Sequence, residues 1–429
     1  MNARTVTALT PPRVATHCGT GTHSGVLERT FSVIVLFLYT GGVLPLLRLE
    51  SGVDFDELEG DPVTRFTWLA VYAVTFILLT RRVRTTLQLF VRERWLILLC
   101  GVAVASVLWS VAPAVTFRRS IALLGTTAFG LYLASRYTVA ELLRLVDWVL
   151  GVSVVLSVAT VAVAPTYGIS SDGTEWRGIF LHKNILGGQM ALAILVSLFQ
   201  IRRRGLANCL VTIVVLALAS LALFNSHSVA GMLAVVIVAV TLPLWPVLRL
   251  QRPLAVASVV FALMTLGAAA WLVSTQANAI ASAVGRDASM TGRTPLWAAV
   301  IDSITNRLWL GHGYAAFWLG WEGESGRIWS SLSWRPVHAH NGFLDLGLEL
   351  GMVGFALFAV GFTVAVCRAT PLIWRTKTAF GLWPIAYLLF IVTINLAEST
   401  IMVRNGVFWM LYVVTCIWLI RHGSERRSA

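Results

Sequence analysis

The chain has 429 residues, 57% of them hydrophobic and 12% charged, with a formal net charge of +13 and a mean hydropathy of +0.78. A soluble domain carries roughly 25% charged residues, so this composition excludes one and indicates an all-α polytopic membrane protein, because backbone in lipid must satisfy its polar groups inside helices. The positive charge does not imply nucleic-acid binding, since it falls in alternate loops between apolar segments.

Residues 1–28 contain Arg4, Pro11, Pro12 and Arg13 but no apolar core, which predicts a disordered cytoplasmic tail rather than a cleaved signal peptide. Apolar runs then recur near 30–48, 66–80, 95–112, 118–136, 145–164, 185–201, 207–224, 229–248 and 254–274. Each is near the ~20 residues a helix needs to cross a bilayer. A loop over 275–342 follows, then runs near 343–367, 378–397 and 405–421, and a short tail at 422–429. The count is about twelve transmembrane helices, nine of them in 29–274 and three in 343–421.

Arg81, Arg82, Arg84, Arg92 and Arg94 follow the second run, Arg136 and Arg144 flank the fourth loop, and Arg202, Arg203 and Arg204 occupy the sixth. Arg368, Arg375 and Lys377 follow the tenth run. Positive loops stay cytoplasmic, so both termini are expected inside, and the loops at 49–64, 165–184 and 275–342 outside. Arg118 and Arg119 fit this assignment poorly. The five cysteines avoid the outer loops, so no disulfide framework is implied.

In the long outer loop, Thr294-Pro295 suits an N-cap and first helical position, and LWAAVIDSITNRLWLG carries Leu296, Val300, Ile304 and Leu308 at spacing four. This predicts an interfacial helix whose apolar stripe meets the membrane surface. Trp297, Trp309, Trp318, Trp321, Trp329 and Trp334 populate the same loop. Most suit the headgroup level, and Trp334 suits either that or sugar stacking.

Three polar clusters fall on the outer side: Glu175-Trp176-Arg177-Gly178-Ile179-Phe180 with His182-Lys183-Asn184; Gly292-Arg293; and His338-Ala339-His340-Asn341. Arginine binds phosphate at two points and does not titrate, so Arg177 and Arg293 suit a diphosphate clamp. Lys183 joins them as one of only two lysines in the chain. Lipid-headgroup contact is the competing use of such residues. Histidine can take a proton from a hydroxyl nucleophile. His340 is the candidate base, with His338, Asn341, Asp345 and Glu349 in support; the last three form a stripe at spacing four that should face a polar cavity. No metal is expected, because His338 and His340 would need ligands from elsewhere and the sequence shows no His-rich partner segment. His227 and His312 are assigned structural roles.

The run His340-Asn341, nine residues, Gly351, two residues, Gly354 resembles the signature of the O-antigen ligase and polymerase superfamily of bacterial envelopes. A WRGxF element, a GR element opening the loop helix, a GHG turn at 311–313 and WSVAP at Trp109–Pro113 agree in order. The resemblance implies a GT-C-like fold in the bacterial inner membrane with a periplasmic active site. It implies metal-independent inverting glycosyl transfer, without a cofactor, from a glycan on undecaprenyl pyrophosphate to a glycan or lipid-linked acceptor. His340 would be the general base, and Arg177 and Arg293 would hold the donor diphosphate. Membrane lipids and polysaccharide export or chain-length proteins are the implied partners, and nucleic acid is not. Polymerisation of exopolysaccharide or O-antigen repeat units is the first expectation, because the HKN element after WRGIF looks more like exopolysaccharide polymerases. Ligation to lipid A-core is the alternative. A transporter of a lipid-linked or anionic solute is a further one, disfavoured because the polar groups gather at one surface.

Overall fold

The computed structural model describes residues 22–42, 61–170, 173–201, 206–241, 293–376 and 379–424. Among them the chain is helical, without a strand longer than the isolated bridge Ile169–Trp176. The long helices are α1 (Thr22–Tyr39), α2 (Pro62–Thr80), α3 (Val83–Arg92), α4 (Arg94–Ala105), α5 (Pro113–Arg136), α6 (Val139–Val163), α7 (Lys183–Gln200), α8 (Leu206–Asn225) and α9 (Val229–Thr241). After them come α10 (Arg293–Asn306), the short α11 (Ser325–Ser331), α12 (Gly342–Ala369), α13 (Trp383–Asn395) and α14 (Val407–Ser424).

Eleven of the predicted apolar runs fall wholly or in part on described helices, while 43–48 of the first run, 242–248 of the eighth and the whole ninth run, 254–274, lie outside the described residues. Pro62–Thr80, Val139–Val163 and Gly342–Arg375 are by themselves long and apolar enough to cross a membrane. The tail read at 1–28 ends earlier than expected. Its last residues form the start of α1, where Glu28 accepts an ion pair from Arg136 at 2.8 Å and lies 3.8 Å from Arg82. The arginine-rich segment after α2 is not a plain loop: α3 is amphipathic, with Leu89 buried and Val83, Leu87 and Val91 exposed one turn apart.

Local chemistry fixes where several helices start. Asp61 accepts from Thr64 N at 2.8 Å and Pro62 follows at the first helical position. Thr138 and Glu141 form a reciprocal capping box on α6. Asn341 caps α12 through its side-chain oxygen, which accepts from Phe343 N and Leu344 N. Apolar on every side, α7 and α14 are buried along nearly their whole length and form the centre of the bundle. Asp147 on α6 is paired, accepting from Ser197 Oγ on α7 at 2.8 Å.

Contacts between the ends of different helices sort the described connections into two groups. At one end Arg136, Arg82 and Arg368 meet Glu28 and Glu93. At the other, Gln189 Nε2 donates to Thr40 O, Trp176 N to Asn225 O, Val111 N to His312 O and Gly342 N to Glu398 O. The second end holds all three predicted polar clusters. Arg119, one of the two misfits of the charge pattern, has a partner there: its Nη1 donates to Ala315 O at 2.6 Å and ties α5 to the loop after α10.

The expected apolar stripe of α10 exists, but it covers protein. Leu296 and Val300 are fully buried and pack with Phe317, Ala339 and Leu348. Leu308 departs from the stripe and is exposed. The described helix begins at Arg293, so Thr294 and Pro295 lie in its first turn rather than ahead of it.

Helix α12 is broken at Gly351, whose φ is +63°. The backbone around the GHG turn fills the break. His312 N donates to Leu348 O and Gly313 N to Glu349 O, while Met352 N donates to Leu308 O and Val353 N to Trp309 O. The turn is held from behind by WSVAP: Val111 N donates to His312 O, and Trp109 Nε1 to Leu310 O at 2.9 Å. Three of the sequence elements that carry the family resemblance therefore meet at one joint. A Cβ on Gly351 would sit 2.4 Å from the Trp309 carbonyl, in a backbone region L-residues avoid. Gly351→Val is expected to cost at least about 1–3 kcal/mol in backbone strain alone and to reduce the yield of monodisperse protein in detergent. A variant with wild-type yield and melting temperature would contradict the joint.

Candidate active site

The site is built by three loops that converge on one carboxylate, Glu398. It stands in the 396–406 connection between α13 and α14, with its side chain about 10% exposed. His340 Nδ1 lies 3.4 Å from Glu398 Oε1, Arg293 Nη2 lies 3.6 Å from the same oxygen, and His338 Nε2 lies 3.8 Å from Oε2. Asn184, from the first cluster, hydrogen-bonds the same carboxyl. The second and third predicted clusters thus share one partner, and the first reaches it through Asn184.

His340 is 8% exposed and adopts a left-handed backbone, φ +49°, a conformation that non-glycine residues hold only when their surroundings dictate it. Asp345 supplies much of that constraint. Its carboxylate accepts from Ala339 N at 2.9 Å, from Trp318 Nε1 at 2.8 Å and from Ser399 Oγ. It therefore clamps the histidine loop and the Glu398 loop onto the first turn of α12. Trp297 Nε1 donates to Ala339 O at 2.9 Å, and the Trp334 ring lies 5.5 Å from that of His340. The stripe Asn341, Asp345, Glu349 hence faces loop backbone rather than an open cavity. Asn341 serves as the helix cap, Asp345 as the clamp, and Glu349 carries a backbone hydrogen bond from Ala315.

Burial, and then the positive charge of Arg293, push His340 down to about 3, so its imidazole is neutral near pH 7. Glu398 lies 3.4 Å from its Nδ1, and burial pushes the Glu398 carboxyl up. Burial and neighbouring His340 also lower His338. With Nδ1 facing the carboxylate, His340 carries its proton there and presents a lone pair on Nε2, the form a general base needs.

Two predicted clamp residues have local partners. The Arg177 Nε donates to Tyr167 O at 2.6 Å and its guanidinium lies over the Tyr167 ring at 5.0 Å. Lys183 pairs with Glu175. Both remain at the site's edge and act electrostatically on His182. The loop that carries Arg177 and leads to Lys183 at the start of α7 is anchored by Ile179 and Phe180, both fully buried, and by Arg177 N and Gly178 N donating to Gly168 O. His312, whose Nδ1 is 3.0 Å from Leu348 O, and His227, 3.9 Å from Glu175, keep structural places.

His338, His340 and Glu398 bring candidate ligand atoms within 4.8 Å of one another. A zinc ion would need all of them at about 2.0–2.2 Å, and the Arg293 guanidinium already lies beside the carboxylate as its counter-charge.

Sequence reasoning missed Glu398. A signal was present: it is the one acidic residue between Glu349 and Glu425, and it stands in the short connection between two apolar runs.

Fold and site together define a many-helix membrane protein with a histidine–carboxylate–arginine centre at one end of its bundle. The family described as O-Antigen ligase matches residues 213–359, a segment that holds Arg293, His338 and His340. The chain is also 26% identical over 316 residues to the Exopolysaccharide production protein ExoQ of Rhizobium meliloti (strain 1021), an alignment covering 69% of this chain and 70% of that protein. Over the segment that holds Arg293, His338 and His340 the chain is therefore similar to the O-Antigen ligase family, and over most of its length to an exopolysaccharide production protein.

Proposed function

We propose that this protein joins glycans on the periplasmic face of the bacterial inner membrane by metal-independent inverting transfer from an undecaprenyl-pyrophosphate-linked donor. The observation that carries the reading is the shared contact of His340 and Arg293 with Glu398. One group suited to remove a proton and one suited to neutralise phosphate sit on the same buried carboxylate. His340 Nε2 takes the proton of the acceptor hydroxyl as its oxygen attacks the donor's anomeric carbon. The bond from that carbon to the diphosphate oxygen breaks, and its electron pair leaves with undecaprenyl pyrophosphate. A diphosphate is already a good leaving group, so the protein must mainly stabilise its charge and activate the nucleophile. Arg293 is the first residue for that charge, and Arg177 and Lys183 border it. A GT-C-like architecture belongs to the same proposal.

Polymerisation of exopolysaccharide or O-antigen repeat units is favoured over ligation to lipid A-core. The similarity to an exopolysaccharide production protein and the HKN element both point that way. In a deletion strain, loss of secreted polymer with intact lipopolysaccharide is the expected result. Lipopolysaccharide stripped of O-chain would instead assign ligation. Transfer by purified protein should survive excess EDTA; loss of activity that divalent cations restore would replace the arginine-based reading with a metal at His338, His340 and Glu398.

A further inference from the structure

Three histidines stand around Glu398, and their hydrogen bonds place their protons differently. His340 turns Nδ1 toward the carboxylate, so Nδ1 carries the proton and Nε2 the lone pair. His338 Nδ1 accepts from His340 N at 3.1 Å, so its proton sits on Nε2, the atom facing Glu398. His182, in the HKN element, also uses Nδ1 as an acceptor: Asn184 N donates to it at 3.3 Å. A neutral His182 must then carry its proton on Nε2 and can only donate there. That nitrogen has no hydrogen-bond partner among the described residues, and the residue is exposed.

Asn184 sets this arrangement from both sides, since its backbone N–H fixes the His182 ring and its side chain bonds Glu398. His182 senses the charges of Glu398, Lys183, Glu175 and Arg177, and it acts on both His338 and His340. It is therefore inside the same electrostatic neighbourhood as the base, yet locked in the opposite tautomer. A second base beside His340 would compete for the acceptor's proton. A fixed N–H donor complements it, because the other place where charge grows during transfer is the diphosphate oxygen.

We propose that His182 donates a hydrogen bond from Nε2 to the departing diphosphate, on the side of the site bordered by Lys183 and Arg177. This rests on the diphosphate-donor reading above. In the step already written, the electron pair of the breaking carbon–oxygen bond settles on the diphosphate, and His182 keeps its proton while stabilising that charge.

The test uses the full-length protein in detergent and measures binding of undecaprenyl pyrophosphate, and transfer from the lipid-linked glycan, for wild type, His182→Gln, His182→Ser and His182→Ala. Glutamine restores a donor of similar reach but caps a helix poorly. Serine caps well but is too short to reach the ligand. The expected result is binding weakened roughly ten-fold or more in the alanine and serine variants, as for a lost hydrogen bond to a charged group, and kept within about three-fold of wild type in the glutamine variant. Rescue by serine and not by glutamine would make His182 a helix cap only and overturn the proposal, as would wild-type binding in His182→Ala. Failure of the wild-type protein itself to bind undecaprenyl pyrophosphate would instead overturn the diphosphate-donor reading.

Discussion

His340→Ala is expected to lower glycan transfer by about 10²–10⁴-fold, the range that general-base catalysis contributes, while folded protein is recovered in normal amount. The loop that carries it is held by Asp345, Trp297 and the cap of α12 rather than by the imidazole itself, so truncation should not unfold the site. Because burial and Arg293 hold the wild-type imidazole neutral, the base form persists as pH falls through 6.5, where an ordinary histidine is half-protonated. The acid limb of the wild-type rate profile should therefore lie below 6.5. A limb at or above that value, or a His340→Ala variant of undiminished activity, would remove His340 from the role of base.

Glu398→Ala is expected to be the more damaging change, because it acts on both stability and rate. Glu398 stands between Arg293 and two histidines with little exposure. Removing the carboxylate leaves the guanidinium, with only 16% of its side chain exposed, without its counter-charge. Breaking a buried pair in this way costs about 3–5 kcal/mol. His340 also loses the acceptor that fixes its tautomer. Thermal unfolding in detergent should show a lowered melting temperature, and transfer should fall at least as far as in His340→Ala. Adding Arg293→Met to Glu398→Ala should recover part of the stability and none of the activity. Recovery of activity in the double variant would mean that Glu398 serves only to neutralise Arg293.

These expectations differ in how far the sequence alone could reach them. The helices were readable because each apolar run is long enough to announce itself, and the gathering of the polar clusters at one end of the bundle agrees with the alternation of the arginines along the chain. His340 and Arg293 were readable as candidates for a chemical reason, since few residue types suit proton removal or diphosphate binding in so apolar a chain, and the structure brings the two to one carboxylate. Their common partner was not, since Glu398 is about 60 residues downstream of His340 and nothing in a linear pattern pairs the two loops. The stripe Asn341, Asp345, Glu349 had the right spacing and the wrong surroundings, because periodicity gives a face but not what covers it. The break at Gly351 was likewise invisible: helical spacing continues through it, and only the inserted backbone of 308–313 shows why a glycine stands there. Arg177 and Lys183 kept their side of the molecule and found nearer partners, Tyr167 and Glu175.

The most direct test of the central claim is a reconstituted reaction. Purified protein, an undecaprenyl-pyrophosphate-linked repeat unit and excess EDTA are incubated together, and lengthened glycan and free undecaprenyl pyrophosphate are quantified for wild type and His340→Ala. Equal release of both products by the wild type, and loss of both in the variant, is the predicted result. Movement of the lipid-linked glycan across the bilayer without any new glycosidic bond, or equal product from the two proteins, would contradict it.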